Sequence, residues 1–479
     1  MSTVITGTGP FPLGTRALVQ LLGEWRRGGR AHAELADKLD LLLIDGRIRS
    51  GTRLPAEREM AAALGVSRTT IVTAYRTLRE RGVLRSVQGS GSILELARGR
   101  GSDVAVRPLS IDLSKAVLDA WPDLPRFAAR AAARLPEHLG AGIDLFGMPE
   151  LRRLIADRYT QAGAPTSPDE ILVTLGAQHA IGLIARTVLG RADRVLVESP
   201  SYTHALDAFR AAGARLVASP VGPHGIDMDD VEAILRDGRP TLAYLMPDFH
   251  NPTGATMPMA ARERLLAVAA RTSTVLLIDE TTRDLDIDRP FSTPPMAALP
   301  HRGATVVTVG SLSKTVWSGV RIGWIRAEHH MIDRIAAARP ASDMGNGVLE
   351  QLVACEALTH LDEILAGRRE SLRASRDQLM RLLADDLPEW DVPAVDGGLA
   401  IWVGLGAPLS SALALAARDQ GVTITSGSRF GIDGAFERNI RIPISTSGLI
   451  AVDAIGRLAR AWRTLGAPRV VSPEAALVV

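Results

Sequence analysis

Lysine is scarce in this 479-residue chain: only Lys38, Lys115 and Lys314 stand among its 55 Lys+Arg residues. Arginine has been used almost everywhere a cation is wanted, so a retained lysine invites a reason specific to a primary amine. The single cysteine, Cys355, excludes an intramolecular disulfide and a cysteine metal cluster, and fits a reducing compartment. It reads as a small buried hydrophobe on a helix. No apolar run approaches the roughly 18 residues that would cross a bilayer. The N-terminal stretch "MSTVITGTGPFPLG" has no basic segment followed by an apolar core, so no secretory signal is expected and the cytoplasm is.

What is present points to a soluble folded protein: 46% of residues are hydrophobic and 23% charged. The length suggests two or three domains. The net charge of +2 conceals an asymmetry, because residues 1–100 carry 16 Lys+Arg against 9 Asp+Glu, leaving 39 against 44 for the rest. A basic N-terminal piece on an acidic body is the charge split of an appended nucleic-acid reader.

Within that basic piece, Leu35, Leu39, Leu42 and Leu43 fall on one helical face, and the helix is expected to stop near Gly46. "PAEREMAAAL" predicts a short helix and Leu64-Gly65-Val66 a tight turn. Ser67 then suits the N-cap of a second helix that buries Ile71, Tyr75 and Leu78. The short strands "VLRSV" and "SILEL" flank Gln88-Gly89-Ser90-Gly91 and predict a hairpin wing. Helix, short helix, turn, helix and wing make a winged helix-turn-helix. Its capped helix would direct backbone N–H groups, Arg68, Thr69 and Thr70 into a major groove. Arg58 is placed for phosphate, and the Gly89–Ser90 wing for the sugar-phosphate backbone. A plain reading would make Arg58 and Arg68 surface ion-pair partners. The elements "LPAERE", "GVSRTT", "AYRTL" and "GSGS" decide between them: at these spacings they resemble the DNA-binding domain of GntR-type bacterial regulators.

Residues 96–110, "LARGRGSDVAVRPLS", read as a linker between a reader at 28–95 and a large domain at 111–465. The large domain alternates helical stretches with the apolar runs "EILVTL", "RVLVES", "RLVASP", "TLAYLM", "TVLLID" and "ATVVTVG", which predicts an α/β fold. In such sheets ligands gather beyond the carboxyl ends of the strands. The residues there are Gly176, Ala177 and Gln178; then Tyr202 and His204; then Asn251, Asp279, Ser311, Ser313 and Lys314, with Arg321 following. A lysine, a carboxylate, an asparagine, an aromatic ring and phosphate donors are the equipment for pyridoxal 5′-phosphate. Lys314 would supply the amine for a Schiff base, which arginine cannot do. Asp279 would hold the pyridine nitrogen protonated, Asn251 would donate to the phenolic oxygen, and Tyr202 offers a stacking face. The N–H groups of Gly176, Ala177 and Gln178, with Ser311, Ser313 and Arg321, would take the phosphate. The Asn251-Pro252 bond is expected to be cis. No metal site is expected.

"GMPELRRLIA", "TLGAQHAI", "NPTG", "SLSK" with "GVRIGW", and "RNIRIPIS" stand in the order of the fold-type I aminotransferases, which the large domain resembles. That resemblance implies a substrate-carboxylate clamp at Arg441 and places His204 near a second carboxylate group. The two halves together resemble the MocR subfamily of regulators. The resemblance implies a homodimeric, PLP-binding transcription factor that binds a double-stranded DNA operator and senses a small amine or amino acid. Two departures from the pattern stand out. Tyrosines common in relatives are replaced by Thr281 and Thr282, and none precedes Gly147 in "GAGIDLFG". These losses favour sensing over turnover, with a working aminotransferase as the alternative.

Overall fold

The computed structural model describes residues 11–466 apart from 24, 27–28, 45–46, 88–90, 96–109, 223–224, 301–302 and 433. Gly89 and Ser90 of the expected wing, and all but Ser110 of the expected linker, therefore lie outside the described residues.

The N-terminal unit is a winged helix-turn-helix. Its helices run Thr15–Leu22, Ala31–Ile44, Glu57–Leu64 and Arg68–Glu80. The first turn of the last helix is capped as its sequence predicts, with the Thr70 N–H donating to Ser67 Oγ at 3.1 Å. Gly65 takes φ +62, the left-handed backbone that a tight turn between two helices demands and that glycine adopts without strain. Leu35, Leu39, Leu42, Met60, Ile71, Tyr75 and Leu78 share one core, together with Leu18 and Leu22 of the first helix. Each such leucine contributes roughly 1.5–3 kcal/mol on burial. The helix Thr15–Leu22 is an addition to the sequence reading, which began the unit at residue 28. Wing strands Leu84–Val87 and Gly91–Leu94 pair antiparallel, and Thr52–Arg53 and Phe11–Pro12 extend them to four strands.

The large unit is built on an eight-stranded sheet. In spatial order its strands are Ile171–Thr174, Gly323–Arg326, Val306–Ser311, Val275–Asp279, Leu242–Leu245, Arg194–Ser199, Arg215–Gly222 and Gly225–Ile226. The five from Val306–Ser311 to Arg215–Gly222 pair parallel. All six predicted strands are present. Each central one is a continuous apolar run because helices cover both faces and leave no polar side. Gly323–Arg326, antiparallel to both neighbours, escaped the sequence reading because "GWIR" lies inside a glycine-rich motif. A smaller C-terminal layer follows. It contains strands Ala400–Gly404, Asn439–Pro443 and Thr425–Ser426, with helices Leu361–Asp386, Ser410–Asp419 and Gly448–Thr464. The stretch Ile111–Asp112 pairs with Val422–Thr423 and ties the start of the large unit to this layer. No described helix is long and apolar enough to cross a membrane.

Candidate functional site

The parallel strands bring their carboxyl ends to one edge, and most of the sequence-selected residues sit just beyond them. Gly176 caps the helix Ala177–Val188 with φ +96. A Cβ there would stand 3.5 Å from Arg321 Nη2, and a Cβ on Gly323 would stand 2.7 Å from the Gly176 carbonyl carbon. Gly323 thus lets its strand close on this turn, while Gly176 is called for by its positive φ and leaves Arg321 at ordinary contact distance. Arg321 has φ +57 and donates from Nη2 to the Leu175 carbonyl at 2.6 Å. Holding a non-glycine residue in that region is strained, and such strain concentrates at functional turns. Ser311 Oγ lies 2.8 Å from Ser313 Oγ and accepts the Ser313 N–H at 3.1 Å. The Gln178 side chain donates from Nε2 to the His204 carbonyl at 2.9 Å, while its backbone N–H lies at the helix start.

Asp279 ends its strand and is 3% exposed. Tyr244 Oη donates to its Oδ2 at 2.7 Å, and the Thr281 N–H to its Oδ1 at 3.0 Å. Burial and the neighbouring carboxylate push the Tyr244 phenol far up, so it stays a neutral donor. The Tyr202 phenol is raised to about 12 by burial and by the charge of Asp279, and its ring meets His204 edge-on at 5.5 Å. The His204 ring itself is exposed.

Lys314 Nζ donates to the Ala116 carbonyl at 2.7 Å. Burial, reinforced by Arg441 and opposed by Asp279, brings the amine down to about 8. A small cavity is bordered by Lys314, Asn251 and Thr282. Asn251 precedes a cis proline, in agreement with the sequence expectation. Thr282, one of the two threonines singled out in the sequence, donates to the Asp248 carbonyl at 2.8 Å and so tethers the Asn251 loop.

Arg441, 7% exposed, lies with its guanidinium over the Phe430 ring at 5.2 Å. Its Nη2 donates to the Ser114 carbonyl and its Nη1 to Asn251 Oδ1 at 3.4 Å. Its buried Nε has no hydrogen-bond partner among the described residues. Burial, only partly offset by Tyr202 and Asp112, draws the guanidinium down to about 10. A buried cation with an unused N–H is suited to a planar carboxylate.

In the reader, Arg58, Ser67, Arg68 and Thr69 are exposed and Thr70 is half-buried. Arg68, 63% exposed at its side chain, stands 3.7 Å from Glu57, a separation that leaves its guanidinium available.

Sequence reasoning missed Tyr244, Phe430 and the carbonyls of Ser114 and Ala116. Tyr244 had a readable signal: it is the one aromatic, hydroxyl-tipped residue inside the apolar run "TLAYLM". It pairs with Leu277, which shares a sheet face with Asp279 two residues on. The carbonyls had none, since backbone acceptors leave no pattern.

Comparison with known proteins adds the following. Residues 113–450 match the model of aminotransferase class I and II, and residues 31–94 match that of bacterial regulatory proteins of the gntR family. The HTH-type transcriptional regulator TauR of Rhodobacter capsulatus is 28% identical over 466 residues, 88% of this chain and 94% of that one. A 2-aminoadipate transaminase of Thermus thermophilus is 29% identical over 348 residues, 71% of this chain and 86% of its own. Among solved structures, alpha-aminoadipate aminotransferase from Thermus thermophilus, complexed with N-(5′-phosphopyridoxyl)-L-leucine, superposes with TM-score 0.69 at 28% identity. That match covers 77% of this chain and 96% of the other.

Proposed function

Since this chain belongs to the class I and II aminotransferase family and carries a gntR-type reader ahead of that domain, in the MocR-type arrangement, we propose that it is a DNA-binding transcriptional regulator whose aminotransferase-like domain binds pyridoxal 5′-phosphate and senses it, an amino compound, or both. The observation that carries the reading is the pairing of a capped helix presenting exposed Arg68 with a half-buried Lys314 whose amine is drawn down partly by Arg441, in the same chain.

The residues fit the cofactor. The glycine-built turn at Gly176, with Ala177, Gln178, Ser311, Ser313 and Arg321, would hold a phosphate. Asp279, oriented by Tyr244, would face the pyridine nitrogen, Tyr202 would stack, and Asn251 would meet the phenolic oxygen. When bound, the group supplies an aldehyde for an amine and an electron-withdrawing ring. Lys314, lowered to about 8, keeps a useful fraction of neutral amine near neutral pH. Arg441 would clamp an effector carboxylate, with His204 at the rim. Arg58, Ser67, Arg68, Thr69 and Thr70, with Gly89 and Ser90 of the wing, would take DNA. Leu139, Ile143 and Met344, all more than half exposed, lie around the Asp144–Gly345 bridge and suit a homodimer face. A cytoplasmic setting follows from the DNA target.

A working aminotransferase is the second reading, and the unused Arg441 Nε favours it. Titration of the PLP-loaded protein with single amino acids separates the two. A new visible band that forms and persists, with no keto acid released, supports the sensor. Continuous keto acid release with repeated turnover makes the protein an enzyme and overturns it.

A further inference from the structure

A second concave site lies apart from the cleft that holds Lys314. Helix Thr15–Leu22 and residues 47–49 of the reader face helix Thr203–Ala211 and the 428–432 segment of the large unit across a cavity of about 650 Å³. Lys314, Asn251, Asp279 and Arg441 do not border it. Four arginines do: Arg47 and Arg49 from the reader, Arg210 and Arg429 from the large unit. Asp207 is the one carboxylate among the described residues that line it, and Leu21 and Ile432 supply an apolar wall.

Asp207 is already shared. Arg429 Nη2 donates to its Oδ2 at 2.5 Å, and Arg210 Nη1 stands 3.5 Å from its Oδ1. Arg210 Nη2 donates to the Ile432 carbonyl at 3.0 Å, which holds this guanidinium beside the 428–432 segment. Partial burial lowers Arg210; Asp207 opposes that shift and Arg429 adds to it. From the reader side, Arg47 lies against the turn at Gly434, where an added Cβ would stand 2.8 Å from its Nη2. Arg49 is exposed and makes no side-chain hydrogen bond or ion pair among the described residues. One acid thus faces four guanidiniums, and a concave wall focuses the positive potential that remains.

We infer that this cavity binds an organic phosphate of nucleotide size, carrying at least two phosphate groups, at a site separate from the cofactor's. Guanidinium forks match phosphate oxygens bidentately and stay charged at neutral pH. A lone carboxylate would engage one or two of them, whereas guanidiniums on both sides of one cavity call for a polyanion. The volume falls within the roughly 300–1,000 Å³ of small-molecule sites. A DNA duplex, whose major groove alone is about 12 Å wide, cannot seat inside it. Leu21 and Ile432 offer the uncharged part of the ligand a dry surface. The site stands whatever Arg441 binds.

The test is calorimetric titration of the full-length, PLP-loaded protein with ADP, ATP and pyrophosphate at about 0.15 M salt, where stray contacts between exposed charges are screened. One ADP or ATP should bind per chain and leave the visible spectrum unchanged. Pyrophosphate, which lacks a part to meet Leu21 and Ile432, should bind more weakly. Arg49→Gln and Arg210→Gln, one on each side of the cavity, should each weaken nucleotide binding by about tenfold. Arg153→Gln, at an exposed arginine on helix Pro149–Gln161, should bind as the wild type does. Because the two cavity variants lie on different units, a melting temperature lowered in one leaves the other to decide. If neither nucleotide binds, or if both cavity variants bind like the wild type, the site does not exist. A spectral change that tracks nucleotide binding would place the ligand in the cofactor cleft and overturn the assignment as well. If the variants weaken only the binding of a DNA duplex, the arginines serve the DNA backbone and the cavity takes no small ligand.

Discussion

Tyr244 and Asp279 meet at 2.7 Å across adjacent parallel strands, the phenol donating to a carboxylate that is 3% exposed. The bond fixes the carboxylate where the strand edge ends. Hydrogen bonds to charged groups contribute about 1.5–3 kcal/mol. Tyr244→Phe should therefore weaken PLP binding by about 10- to 100-fold while leaving the protein folded. Spectral titration with PLP checks this, and an unchanged affinity would detach Tyr244 from the site.

Lys314 carries the second expectation. Its amine is drawn down to about 8, chiefly by burial and then by Arg441. A lowered lysine is neutral above that pH and protonated below it, so capture of PLP should accelerate from pH 6.5 to 8 and level off beyond. Lys314→Ala should lose the visible band of the bound cofactor and keep the fold. A rate still climbing at pH 10 would place the lysine in an ordinary solvated setting.

Much of this architecture was legible because the signals were local. Ser67 caps its helix through a bond to Thr70 three residues away, and each parallel strand announces itself as a short, mostly apolar run. The sheet edge then gathers Gly176, Asp279, Asn251 and Lys314 by topology alone. What escaped depends on distant chain segments. Ser114 and Ala116 hold Arg441 and Lys314 through carbonyls nearly 200 residues or more from their partners. The helix Thr15–Leu22 gives the reader two more core leucines, but eight residues are too few for a periodicity to declare itself. Thr282 was noticed as a missing tyrosine. Its own role, a tether to Asp248, needed coordinates.

At the reader, the exposed Arg68 guanidinium stands at the start of a helix whose first turn is free of acidic residues. Removing it should lower the slope of log affinity against log salt by about one phosphate equivalent. Measured on one duplex at several salt concentrations, Arg68→Ala should show either that reduced slope or a relaxed base preference. Binding that is unchanged in both respects would mean that another element enters the groove. Ser67→Ala, by contrast, should destabilise the reader by about 1 kcal/mol through loss of the cap.

Glu280, the neighbour of Asp279, faces away from these roles and sets a pH dependence of its own. It is 8% exposed, accepts the Met296 N–H at 3.0 Å, and is pushed up from 4.5 to about 7 by burial. The folded protein therefore holds this proton more tightly than the unfolded chain does. Its favourable contribution is complete below pH 4.5 and is lost as pH rises towards 7, above which the fold carries a buried charge. The loss amounts to about 3–4 kcal/mol at roughly 1.4 kcal/mol per pH unit. Glu280→Gln keeps an acceptor for Met296 and removes the charge. The variant should melt higher than wild type at pH 8 and match it near pH 4.5. A wild-type advantage at pH 8 would mean that the Glu280 anion is stabilised by Arg283 strongly enough to reverse the sign.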